Sequence, residues 1–197
     1  SMFDYAMFRR PCMLYATDVE QYDRGYYYDF TELPFPLARN GEELKTLIAD
    51  FDKESYLRFY RILGFYPHDI RIYEQALLHK SSSVKSEKGV VLNNERLEFL
   101  GDAVLGLVTA DYLYHKHPDL PEGDLTRIRA ALVCEQSLYE VAQKLELGRY
   151  LKLGRGEEAG GGRNRTSILA DATEAVFAAV YLDGGIQEAS ALIHRVL

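Results

Sequence analysis

The stretch Asn94-Glu95-Arg96-Leu97-Glu98-Phe99-Leu100-Gly101-Asp102-Ala103-Val104-Leu105 constrains this chain most. Glu95, Glu98 and Asp102 stand at i, i+3 and i+7, which on a helix of about 3.6 residues per turn is one face. Leu97, Leu100, Val104 and Leu107 fall on the opposite side, which predicts an amphipathic helix from Asn94 through Tyr114, stopped by Pro118 and Pro121. Three like charges on one face repel, and nothing nearby in the sequence neutralises them. Either the face is simply solvated, or a cation offsets the repulsion, the leading candidate being a divalent metal held by hard oxygen ligands. Gly101 and Gly106 are costly inside a helix relative to alanine, which points to close approach of another backbone.

A second acidic segment lies near the end. Thr166 or Ser167 is expected to cap a helix containing Ile168-Leu169-Ala170-Asp171-Ala172-Thr173-Glu174-Ala175-Val176. Asp171 and Glu174 share a face at i and i+3, among Ala170, Ala172, Ala175, Ala178 and Ala179. Small residues permit close helix packing, so these carboxylates are expected to be partly withdrawn from water and to need partners. If the apolar sides of the two helices share a core, Glu98, Asp102, Asp171 and Glu174 converge on one hard cation. A carboxylate-only donor set fits Mg²⁺, with Mn²⁺ as substitute, better than Zn²⁺. Such a site suits phosphodiester hydrolysis.

The remaining chain frames these helices. A helix is expected over 53–63, ended by Gly64 and Pro67, and another from Ile70 to Leu78. His79 is read either as a ligand or base, or as a structural residue at a helix end. Val84 to Asn93 reads as a polar loop. Asp124 is a candidate N-cap for a helix Leu125–Val133 with Arg127 and Arg129 on its edge, and Glu122 is a turn residue or a site residue. Gln136 to Leu147 is amphipathic, and Arg149 to Arg165 is a glycine-rich basic loop, either merely solvated or contacting a phosphodiester backbone. Asp183-Gly184-Gly185 is a turn before a last helix. No run reads as a membrane span or secretory signal, and Cys12 and Cys134 form neither a disulfide framework nor a zinc site, so a cytoplasmic protein is expected. The formal charge of −7 is unlike that of an autonomous nucleic-acid binder, so cations or a basic module must offset repulsion from any nucleic-acid substrate.

Residues 1–52 read differently and are rich in tyrosine. Phe3-Asp4-Tyr5, Arg10-Pro11, Tyr22-Asp23-Arg24-Gly25-Tyr26-Tyr27-Tyr28-Asp29 and Leu33-Pro34-Phe35-Pro36 resemble the C-terminal end of the CDP-glycerol glycerophosphotransferase family. Cys12–Ala16 is a possible strand, and a short helix is expected after Asn40. The segment is too short for a nucleotide site, so no transferase activity is expected of this α/β-like extension. The chain then reads as a chimera of two families or as a natural extension of one.

Glu95-Arg96-Leu97-Glu98-Phe99-Leu100-Gly101-Asp102 resembles the signature of the ribonuclease III family, as do His79-Lys80-Ser81, Glu122-Gly123-Asp124-Leu125 and Ile168-Leu169-Ala170-Asp171-Ala172-Thr173-Glu174-Ala175, in the family's order. The resemblance covers about 53–197 and implies an all-α endonuclease domain that forms a homodimer. It implies cleavage of double-stranded RNA to 5′-phosphate and 3′-hydroxyl ends, as in rRNA and mRNA precursor processing, with no small-molecule cofactor. Glu98, Asp102, Asp171 and Glu174 match metal-binding carboxylates, with Asp102 and Glu174 the most sensitive. Glu95 and Glu122 match acidic positions that assist RNA and metal placement, and Phe99 matches an aromatic residue that enters a pocket of the other subunit. Family members of bacteria usually carry a double-stranded-RNA-binding domain after the catalytic one. None is expected in this chain, which predicts weak, salt-sensitive RNA binding. The alternative is a non-catalytic dimerisation or double-stranded-RNA-binding module.

Overall fold

The computed structural model describes residues 14–15, 37–38, 62–64, 67–85 and 89–197. The chain divides into two compact units, Ser1–His68 and Asp69–Leu197. The expected boundary between Asp52 and Lys53, and most of the helices expected after Asn40 and over 53–63, lie outside the described residues. In the first unit, β1 (Leu14–Tyr15) pairs in parallel with β2 (Leu37–Ala38), with Leu14 opposite Leu37. Ile62 and Leu63 are helical, and Gly64 follows at φ +83°, the left-handed conformation that commonly ends a helix.

The second unit is helical around one long central element. Helix α1 (Ile70–Ala76) starts at Asp69, whose Oδ1 accepts the Arg71 N–H at 3.0 Å. Two bonds fasten this end to a distant carboxylate: the Asp69 N–H donates to Asp183 Oδ1 at 2.9 Å, and the buried Tyr73 hydroxyl donates to Asp183 Oδ2 at 3.0 Å. After α1 the chain is stitched to a later segment, His79 N–H donating to the Lys152 carbonyl (3.1 Å) and Lys152 N–H to that of Leu77 (2.8 Å). The expected polar loop contains an antiparallel ladder, β3 (Val84–Lys85) with β4 (Val91–Leu92). Gly89 (φ +75°) lies before β4, and the apolar run Val90-Val91-Leu92, with its two β-branched valines, favours a strand there.

Helix α2 (Glu95–Lys116) is followed by α3 (Glu122–Leu132), α4 (Glu135–Lys144), α5 (Arg155–Ala159) and α6 (Thr166–Val196). Helix α3 begins at Glu122, so Asp124 sits in its first turn and Pro121 is the cap. Arg165, rather than Thr166 or Ser167, precedes the first turn of α6. Gly185 (φ 80°, ψ −178°) breaks α6 where the turn was expected. By length and composition alone α6 could cross a membrane, contrary to the sequence reading. Its apolar surface is instead used within the unit. It packs against α1, α2 and α4, and Leu169, Val176, Phe177 and Val180 are fully buried.

The two helical glycines of α2 differ. A side chain at Gly101 would collide with the backbone carbonyl of Glu174, so here the two helices meet main chain to main chain. Gly106 faces open space, with nothing within 4 Å of an added Cβ, so the expected close approach fails there. Leu107, placed on the apolar side by periodicity, is 61% exposed. Gly101→Ala should therefore lower the unfolding free energy by about 2 kcal/mol or more through forced separation of α2 from α6. Gly106→Ala should raise it by up to about 1 kcal/mol through helix propensity. Chemical denaturation of both variants checks this, and equal responses would contradict the assigned helix contact.

Candidate active site

The junction of α2 and α6 carries both acidic pairs. Asn93 prepares the start of α2: its Oδ1 accepts the Glu95 N–H at 3.1 Å, and its Nδ2 donates to Glu95 Oε2 at 3.1 Å and to Ser83 Oγ at 3.2 Å. Asn94 is buried, and its N–H donates to the Leu78 carbonyl at 2.8 Å. From this anchored end Glu98 is half-buried and Asp102, one turn on, is exposed. Across the junction Asp171 and Glu174 are half-buried between buried Ala170, Ala172 and Ala175. Thr173, fully buried between them, donates to the carbonyls of Leu169 (2.9 Å) and Leu138 (3.2 Å), which bolts α4 to α6 at the level of the acidic pair.

Electrostatics link the four carboxylates. Burial raises the Glu174 pKa from its ordinary 4.5 to about 7, and the charges of Asp102, Glu98 and Asp171 add to the rise. Burial also raises Glu98, reinforced by Asp171 and Glu95 and opposed by Lys80. Asp171 is raised by burial and by Glu135, while Lys80 and His79 act against the rise. Each acidic helix therefore feels the other. Among the described residues, however, no three His, Cys, Asp or Glu side chains are gathered into a ready-made cage. The donor set, all hard oxygen and partly desolvated, fits a magnesium-type cation.

The other candidates separate. Glu95 joins the site edge, with Lys80 Nζ 3.5 Å from its Oε1. Glu122 is exposed at the start of α3, where its Oε1 accepts from Thr126 Oγ1 at 2.7 Å. It lines an open cleft of about 410 Å³ with Leu107, Tyr114, Leu125 and Arg129. Its place is on α3, apart in sequence from the two acidic helices. Phe99 is 81% exposed although its neighbours in sequence belong to the site. His79 takes the structural role: it is buried, and its Nδ1 accepts the Ser81 N–H at 3.2 Å, capping the 3-10 turn Lys80–Ser82. Burial lowers its pKa, which favours the neutral ring.

The basic loop is more ordered than its glycines suggested. Besides α5 it holds the 3-10 turns Leu147–Arg149 and Gly162–Asn164. Arg163 grips the Glu158 carboxylate through Nε (2.9 Å) and Nη2 (2.5 Å), and its Nη1 donates to the carbonyls of Gly148 (2.5 Å) and Leu151 (3.0 Å). Arg165 pairs with Glu157 at 2.6 Å and Arg149 with Glu146 at 3.0 Å. Much of its positive charge is thus satisfied inside the protein. Sequence reasoning did not single out Glu135 or assign Lys80 a role. A carboxylate in the first turn of a helix and a lysine in a polar turn carry no signal until the fold sets both near Asp171.

Known proteins resemble this chain in sequence and fold. A family model described as "Ribonuclease-III-like" matches residues 69–197, and one described as "CDP-Glycerol:Poly(glycerophosphate) glycerophosphotransferase" matches residues 1–66. Ribonuclease 3 of Thermobifida fusca is 57% identical over 125 residues, covering 64% of this chain and 51% of that protein. Ribonuclease 3 of Streptomyces coelicolor is 51% identical over 148 residues, covering 75% and 52%. The chain thus spans about half the length of the curated relatives it matches. A crystal structure of the nuclease domain of ribonuclease III from Campylobacter jejuni superposes with a TM-score of 0.66 at 41% identity, covering 74% of this chain and 93% of that one.

The raised Glu174 pKa has a consequence for folding. The folded state binds this proton more tightly than the unfolded chain, so ionisation destabilises the fold above about pH 7 and the penalty vanishes below the ordinary value of 4.5. Glu174→Gln should stabilise the protein at about pH 8 by on the order of 1 kcal/mol, after allowing for partial exposure, and by nothing at about pH 4. Thermal melts across that range check it, and a pH-independent difference would contradict it.

Proposed function

Because the chain belongs to the ribonuclease-III-like family, we propose that it is a Mg²⁺-dependent endoribonuclease. It cuts double-stranded RNA into products with 5′-phosphate and 3′-hydroxyl ends, in the manner of rRNA and mRNA precursor processing in the cytoplasm. The observation that carries this reading is the meeting of α2 and α6, which sets Glu98 and Asp102 against Asp171 and Glu174 in a partly dry junction. These four side chains would hold the cation. Mg²⁺, or Mn²⁺ in its place, supplies Lewis-acid polarisation of the phosphate and a lowered pKa for an attacking water.

The residues of the chain set the conditions for that chemistry. Glu174 keeps a proton near neutrality in the absence of a cation and must release it to serve as a ligand. Cation affinity and cleavage should therefore rise as pH increases through about 7. Asp102 is exposed, so its carboxylate is open to a ligand from solvent. Glu95 and Glu122 assist placement of RNA and metal. The four carboxylates make the site hostile to RNA without a divalent ion, in keeping with the chain's formal charge of −7.

Incubation with long duplex RNA and Mg²⁺, beside Glu174→Gln, tests the activity. The parent should cleave and the variant should lose on the order of 10²-fold or more of the rate. Equal cleavage by both would overturn the assignment. Duplex binding without cleavage in either Mg²⁺ or Mn²⁺ would favour a non-catalytic RNA-binding or dimerisation module.

The proposed assembly is a homodimer. A solved Campylobacter jejuni relative, covered over 93% of its length, is described by structural flexibility in a region involved in dimer formation. In this chain Phe99, Leu107 and Tyr114 are 81%, 61% and 70% exposed along α2, an apolar strip that a second copy would cover. Light scattering at micromolar concentration should give a dimer mass for the parent and a smaller mass for Phe99→Ala. A monomeric parent would refute the assembly.

A further inference from the structure

Lys80 reaches the acidic face from outside both acidic helices. It opens the 3-10 turn Lys80–Ser82, and that turn is fastened from several sides. The Ser81 N–H bond to His79 Nδ1 and the His79 N–H bond to the Lys152 carbonyl hold its start. Gly154 N–H donates to Ser81 Oγ at 2.9 Å, and a side chain at Gly154 would strike the Ser81 carbonyl. Ser83 Oγ donates to the Lys80 carbonyl itself at 2.7 Å. The backbone of residue 80 is therefore anchored while its side chain remains 64% exposed. Most surface lysines lack such an anchor and pair only loosely.

The ammonium has a defined acidic setting. Nζ lies 3.5 Å from Glu95 Oε1. Its charge acts on Glu98 of α2 and on Asp171 of α6, opposing in both the rise that burial imposes. It thus partly neutralises carboxylates from the two helices at once.

We propose that Lys80 is the resident counter-ion of this site, held against Glu95 while RNA is absent and turned to a phosphate of the duplex backbone when RNA is bound. The inference rests on reading the site as a cation-dependent nuclease centre. Without RNA the ammonium weakens the field that attracts a divalent ion to Glu95, Glu98 and Asp171. With RNA the same charge favours a phosphodiester. One charge then has two effects of opposite sign, whereas a lysine that merely braced its turn would support both activities or neither.

The test compares the full chain with its Lys80→Gln and Lys80→Arg variants. Mn²⁺ binding without RNA is followed by the spectroscopic signal of free Mn²⁺. Binding of a short RNA duplex is followed by fluorescence anisotropy with Ca²⁺ in place of Mg²⁺, to screen the carboxylates while slowing cleavage, at several salt concentrations. Lys80→Gln should bind Mn²⁺ about three- to tenfold more tightly. It should bind the duplex about three- to tenfold more weakly, with a salt dependence shallower by about one ion. Lys80→Arg keeps the charge and should stay within about twofold of the parent in both. Weaker binding of both ligands by Lys80→Gln, or no change in either, overturns the role of Lys80 while leaving the nuclease reading intact. A parent that binds no Mn²⁺ overturns the site reading and this inference with it.

Discussion

The seat of α2 on α6 is the contact on which the rest of this domain depends. At Gly101 the carbonyl of Glu174 occupies the space where a side chain would stand. The same contact lies beside Asp102 in one helix and at Glu174 in the other. Helix spacing and the spacing of the acidic pairs are therefore one quantity. Buried Ala170, Ala172, Ala175, Ala178 and Ala179 permit the approach, and the Thr173 hydroxyl sets α4 in register with it. At the other end Asp183, just before the break at Gly185, ties α6 to α1. Loss of the close seat would cost core contacts and the site together.

Bringing the acids together works against stability. Burial and like charges both raise Glu98 and Glu174, and burial with Glu135 raises Asp171, so the junction holds charge at a cost near neutral pH. Lys80 offsets only part of it, because an exposed pair such as Lys80–Glu95 contributes at most about 1 kcal/mol. A doubly charged ion held by several oxygens offsets far more of the repulsion than one exposed ammonium. The junction is electrostatically unfavourable by itself, and a cation shared among the carboxylates, as proposed, would offset that cost.

The acidic helices were legible because their charges and apolar residues repeat at helical spacing, and the family motifs lie on them. Distance was not legible. Nothing in the residue pattern separates Gly101, which meets a backbone, from Gly106, which meets nothing. Nor does periodicity show that Leu107 is exposed along with Phe99, since both fit an amphipathic helix that has a second apolar side. The β3–β4 pair was missed because each strand has only two residues, too few for alternation to register. The order of the basic loop comes from pairs such as Arg163 with Glu158 and with the Gly148 carbonyl, which composition does not predict. Lys80 and Glu135 acquire meaning only when segments far apart in sequence meet at Asp171.

If the two acidic helices form one cation site, as proposed, crystallographic location of Mn²⁺ reveals it. Anomalous scattering from crystals of the full chain grown with Mn²⁺ should place a peak between α2 and α6, with carboxylate oxygens from both acidic pairs among its ligands at about 2.2 Å. A peak bound by one helix alone, a peak elsewhere on the molecule, or no peak at saturating Mn²⁺ would rule out a site shared by the two helices.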